Sequence, residues 1–144
     1  MSVNQMSEGR KLQLQGCFVC GTTNPKGLHA EFEKTEGGAE AIYVPAREQE
    51  GWPGIIHGGI LLALMDEAMS YALFFHDIHA FTARLDSRFR RPARPDEALR
   101  ITAEMFNRRR PLVDATARIT TVVGAVAVAE ASGRYRIVGR ELEA

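Results

Sequence analysis

The stretch GIIHGGILLALMDEAMSYALFF, residues 54–75, decides the reading of the fold. From Gly58 to Phe75 it contains strong helix formers and no proline, so it reads as one long helix, the only one in the sequence. At about 100° per residue, Ile60, Leu64, Ala68, Tyr71 and Phe75 share one side, Leu61, Met65, Met69 and Ala72 the next, and Leu62 and Leu73 the opposite one. A helix apolar all round is expected to be enclosed by the rest of the fold. Yet it opens on His57-Gly58-Gly59 and carries Asp66-Glu67 in its middle, so the same stretch must also be read for chemistry.

The flanks have a different period. Before the helix, Leu28 to Thr35 and Ala39 to Val44 are strand-like runs separated by the turn signal Glu36-Gly37-Gly38, and they read as a hairpin. After it, Phe81, Ala83, Leu85 and Phe89 alternate with Thr82, Arg84, Asp86, Arg88 and Arg90 until Pro92. Leu99, Ile101, Ala103 and Met105 repeat the pattern, as do Val113, Ala115, Ala117, Ile119 and Thr121, and AVAVAEASGRYRIV supplies a last strand around Gly133. Two strands, one helix, then three or four strands with short connections predict an α+β domain with an antiparallel sheet. Residues 1–16 read as a loose polar leader and 17–144 as one domain.

Charge and composition narrow the function classes. Eighteen basic residues balance eighteen acidic ones, which argues against bulk attraction to nucleic acid or an anionic membrane. His57, Asp66 and Glu67 break the longest apolar stretch too soon for a bilayer crossing. Residues 1–16 lack the apolar core of a signal peptide, so a cytoplasmic setting is expected. Locally the balance tilts: between Arg84 and Arg118 ten arginines face five acids. The planar guanidinium fork suits phosphate and carboxylate groups, and a phosphate-bearing ligand fits this excess, although most of these arginines read as solvated strand faces.

The glycines of His57-Gly58-Gly59 fall where a helix leaves backbone N–H groups without partners, and the missing side chains allow close approach. The helix dipole favours negative charge at the same place, so this turn is a candidate oxyanion site as well as a tight strand-to-helix connection. Asp66, about two turns after Gly59, lies on the same side but about 10 Å away. If two such helices pack antiparallel in a dimer, the Asp66 of one chain faces the glycine turn of the other. A carboxylate in an apolar helix needs a partner or a task. For Glu67, pairing with an arginine is the expected explanation.

With these residues in view, HGGILLALMDEA, FTARLDSRFRRPA and AVAEASGRYRIVG resemble the hotdog-fold acyl-CoA thioesterases, in particular the phenylacetyl-CoA thioesterase-like branch, and CFVCGTTNPKGLHAEF resembles the opening of its members. The resemblance covers roughly residues 17–138. It implies an antiparallel sheet wrapped around one central helix, a homodimer joined sheet edge to sheet edge, often a dimer of dimers, and hydrolysis of an acyl-CoA thioester. By position, it implies Asp66 as general base or nucleophile, Gly58 with Gly59 as oxyanion donors, His57 as a group positioning the thioester, and Thr82 as the residue orienting the water or the acid. Glu67 stands where the family often has threonine or another small residue, so it either shares the work or perturbs Asp66. Arg90, Arg91, Arg108, Arg109 and Arg110 are candidates for the CoA phosphates, Trp52 for an acyl-pocket wall and Glu67 for a further substrate contact. CoA enters only as part of the substrate, and no other cofactor is expected.

Cys17-x-x-Cys20 fits a redox pair or half of a metal site, but without a second cysteine pair or a βαβ pattern loop packing is the expectation. His76 and His79 are expected to cap or follow the helix end, and no metal is assigned. A hotdog-fold enoyl-CoA hydratase or dehydratase and a non-catalytic acyl-CoA-binding protein are the alternative readings.

Overall fold

The structure, a computed structural model, describes residues 15–138; most of the expected leader lies outside these residues. Strands β1 (Glu33–Lys34) and β2 (Gly38–Tyr43) precede the helix α1 (Gly58–Phe74), and β3 (Ala80–Phe89), β4 (Leu99–Arg109), β5 (Leu112–Thr121) and β6 (Ala127–Ile137) follow it. The six strands form one antiparallel sheet in the order β1-β2-β4-β5-β6-β3, and α1 packs across β2 to β6. One helix held against a six-stranded antiparallel sheet is the hotdog architecture that the resemblance implies.

The inward alternation of β4 and β5 is as read: Leu99, Ile101, Ala103, Val113, Ala115, Ala117, Ile119 and Thr121 are buried. They meet Leu61, Leu64, Met65, Ala68, Met69, Ala72 and Leu73, which follow one another at helical spacing on α1. Each leucine, isoleucine, valine or methionine among them contributes roughly 1.5–3 kcal/mol on leaving water. The expectation of a fully enclosed helix is corrected, because Ile60, Leu62, Ala63, Asp66, Glu67 and Ser70 remain half-buried. A single sheet covers only the face that it contacts.

The first hairpin is shorter than expected. Only Glu33 and Lys34 pair with β2, while Leu28 and Ala30 donate their N–H groups to Phe18 O (2.8 Å) and Val19 O (2.9 Å). This segment therefore packs on the Cys17–Gly21 turn instead of extending the sheet.

Strand β3 departs from strict alternation. A register shift between Thr82 and Arg84 inserts an extra residue opposite β6, so Thr82 pairs with Tyr135 while Leu85, Ser87 and Phe89 pair with Gly133, Ala131 and Ala129. The bulge turns Thr82 toward the helix and leaves Phe81 on the outer side, correcting the expected placement of both. Beyond β3 the sheet has no further strand among the described residues, so this ten-residue strand is an edge.

Candidate active site

Asp66 lies over the paired residues Thr82 and Tyr135. Its Oδ1 accepts hydrogen bonds from Tyr135 Oη at 2.8 Å and Thr82 Oγ1 at 2.9 Å. Tyr135 Oη also lies 3.3 Å from the Asp66 carbonyl. Two donors on one oxygen fix the plane of the carboxylate. Burial, and then the negative Asp66, hold the Tyr135 phenol well above its ordinary range, so it remains a donor.

Gly133 makes this geometry possible. A Cβ at Gly133 would stand 2.7 Å from Tyr135 Cε2 and 3.0 Å from its hydroxyl oxygen, so the ring lies where a side chain would otherwise be. Tyr135 is not among the residues singled out by the sequence pattern. The available signal was a tyrosine two residues after a strand glycine, which puts both on the inward face.

At the start of α1, His57 is the N-cap, and its Nδ1 accepts the Gly59 N–H at 2.8 Å. Nδ1 is then the unprotonated nitrogen of the ring. Among the described residues no acceptor takes the Gly58 N–H, and the Phe89 ring borders it, 3.8 Å from where a Gly58 Cβ would lie. The structure thus separates the two glycines: the amide of Gly59 is occupied by the cap, and that of Gly58 is open.

The arginines divide between two ends of the sheet. Arg90 and Arg91 follow β3 at the end near Gly58, where Arg90 pairs with Glu130 and Arg91 makes a bidentate pair with Glu97 at 2.9 Å for each bond. Arg108, Arg109 and Arg110 lie at the β4–β5 hairpin, at the opposite end. Trp52, in the loop before α1, is 81% exposed. One chain therefore does not bring Trp52 and both arginine groups to Asp66.

Glu67 has no arginine partner among the described residues, correcting the expected ion pair. Its Oε1 instead faces Cys20 Sγ at 3.2 Å and Cys17 Sγ at 3.5 Å. Burial, followed by the neighbouring Cys17, pushes the Glu67 carboxyl up to about 7. The Cys20 thiol hydrogen bond lowers Cys17 to about 5, against the effect of burial, and the same contact raises Cys20. At the far end of the helix, His76 Nδ1 lies 2.8 Å from Ala72 O, so His76 stays with the helix end. Among the described residues no helix is long and apolar enough to cross a membrane.

Comparison with known proteins places the chain in a family and the fold among known structures. The family model of the thioesterase superfamily matches residues 53–128, from the loop before α1 into β6. Human acyl-coenzyme A thioesterase THEM5 is 37% identical over 59 residues, which is 41% of this chain and 24% of that protein, so the chain spans about a quarter of the length of this curated relative. Among solved structures, a hypothetical thioesterase with coenzyme A from Streptococcus pneumoniae TIGR4 superposes with a TM-score of 0.72 at 20% identity, covering 76% of this chain and 86% of the other. The Escherichia coli PaaI protein of the phenylacetic acid degradation operon superposes with a TM-score of 0.71 at 21% identity, covering 76% and 83%.

Proposed function

From the premise that the chain belongs to the thioesterase superfamily, we propose that it hydrolyses an acyl-CoA thioester to the free acid and CoA, with Asp66 as the general base. The observation that carries this reading is the Asp66 carboxylate, half-buried in an apolar helix and oriented through Oδ1 by Tyr135 and Thr82. Held in this way, it takes a proton from water while the water oxygen attacks the thioester carbonyl carbon. The carbonyl oxygen, now negative, receives the Gly58 N–H at the positive end of α1. The C–S bond then breaks, and the proton on Asp66 passes to the departing CoA sulfur. His57 fixes the glycine turn by capping Gly59, a role that supports a thioesterase over a hydratase using the same histidine as its acid or base.

Gly58 and Asp66 are too far apart on one helix to act on one carbonyl, so the site combines Asp66 of one copy with Gly58 of a second. The half-buried apolar side of α1 and the open edge of β3 support such a homodimer, and pairing of two dimers is compatible with it. An antiparallel two-fold also brings opposite sheet ends together. Arg90 and Arg91 of one copy then lie near Arg108 and Arg109 of the other around the CoA phosphates, and Trp52 borders the acyl group. A cytoplasmic setting completes this reading.

The test is release of free thiol from a panel of short, medium, long-chain and aromatic acyl-CoAs, with Asp66→Asn alongside. The reading predicts release from at least one member and a fall of about 10²–10⁴-fold in the variant. No release from any member would refute it. A first turnover in ¹⁸O-water should place the label directly in the product acid, whereas an unlabelled first product would make Asp66 a nucleophile.

A further inference from the structure

We propose that Cys17, Cys20 and Glu67 form a binding site for a borderline-soft divalent cation, zinc by its chemistry, that fastens the Cys17–Gly21 turn to the middle of α1. This site is separate from the proposed thioesterase chemistry and does not rest on it. The sequence offered only half of a metal site, two cysteines without a second pair. The fold supplies the third ligand from a residue 47 positions after Cys20.

The three ligand atoms, two sulfurs and one carboxylate oxygen, all lie within 4.8 Å of one another. For tetrahedral zinc, a metal–sulfur bond of about 2.3 Å and a metal–oxygen bond of about 2.0 Å give a sulfur–oxygen edge of about 3.5 Å. The observed separations from Glu67 Oε1 are 3.5 Å for Cys17 and 3.2 Å for Cys20. The two sulfur–oxygen edges therefore already have about the length that an ion would impose, and the two sulfurs lie within 4.8 Å of each other.

The turn itself is built to present both sulfurs. The Gly21 N–H closes it onto Cys17 O at 2.9 Å, and the Cys20 N–H points at Cys17 Sγ at 3.5 Å, a donor that stabilises a thiolate. Gly21 is required there, because a Cβ would stand 2.2 Å from Gln15 O and 2.4 Å from Cys17 O. Tyr71, stacked on Phe32 with ring centroids 5.0 Å apart, borders Cys20 on its other side. Two sulfurs and one oxygen leave a fourth position for water or another donor.

A cation also resolves the position of Glu67. Its only hydrogen-bond contacts among the described residues are with the two cysteine sulfurs, and a thiol is a weak donor for a half-buried carboxylate. A Cys17–Cys20 disulfide would remove any thiol donors and leave Glu67 worse placed. A bound divalent ion takes their place as the thiol protons leave to solvent, and it pairs the carboxylate.

The experiment uses the full chain, fully reduced, stripped of metal and titrated with Co²⁺ as a probe and then with Zn²⁺. The site predicts about one Co²⁺ per chain, with a thiolate-to-cobalt charge-transfer band and d–d bands of tetrahedral intensity that Zn²⁺ abolishes. Glu67→Gln should weaken binding at least about tenfold, and Cys17→Ser should remove the charge-transfer band. In the wild type alone, so that no variant need fold, stoichiometric Zn²⁺ should protect Cys17 and Cys20 from alkylation. Absence of the band in the folded wild-type chain, an undiminished band in Cys17→Ser, unprotected thiols, or a Cys17–Cys20 disulfide that forms despite stoichiometric Zn²⁺ would each overturn the proposal.

Discussion

Thr82 and Tyr135 reach Asp66 together because they are register partners across β3 and β6 and so point to the same face of the sheet. A hydrogen bond to a charged group is worth about 1.5–3 kcal/mol. Tyr135→Phe should therefore lower kcat about 10- to 100-fold with little change in KM, and Thr82→Ala should behave similarly, while Thr82→Ser retains most of the activity. Steady-state kinetics on the best acyl-CoA would check this, and a change confined to KM would contradict the assigned positioning role. Asp66 was legible in the sequence because an acid in an apolar helix demands an explanation. Tyr135 was not, since tyrosine is an ordinary strand residue. Thr82 was legible only through family resemblance, because period two assigned it to the outer face and no composition signal marks the bulge.

At the scale of elements, the inner face of β6 is shaped by an absence. Gly133→Ala places a methyl group in the space of the Tyr135 ring, and overpacking of this kind costs about 1–3 kcal/mol. Thermal unfolding should show that loss, and kcat should fall to about the level of Tyr135→Phe. A variant as stable and as active as the wild type would contradict the packing. On the outer face, Asp114 of β5 pairs across the sheet with Arg134 of β6, with bonds of 2.9 and 3.2 Å. The Arg134 hydrogen bond holds the Asp114 carboxyl below its usual range. A lowered pKa stabilises the fold above the ordinary aspartate value of about 3.9 and is lost as pH falls through the folded value. The Tm advantage of the wild type over Asp114→Asn should thus be present at neutral pH and vanish in acid. An advantage that persisted unchanged in acid would exclude the charge pair as its cause.

The helix, the long strands β4 to β6 and the overall architecture were legible because hydrophobic periodicity records which face is buried. The arrangement of Leu28 to Ala30 was not, because the Leu28 and Ala30 N–H groups bond to a turn nearby and period two does not distinguish that from a sheet. Nor did a local pattern join Glu67 to the cysteine turn, since their contact depends on tertiary folding.

For the whole molecule, the division of labour between Asp66 of one copy and Gly58 of the next is tested most directly by complementation. Asp66→Asn, which lacks the base, and Gly58→Pro, which lacks the open N–H, should each be nearly inactive as homodimers. Unfolded and refolded together in equal amounts, they should regain about a quarter of the wild-type activity, because half of random dimers are mixed and each mixed dimer has one intact site. Mixed dimers that form, as verified by native mass spectrometry, yet show no activity above either parent would contradict a site shared between two chains.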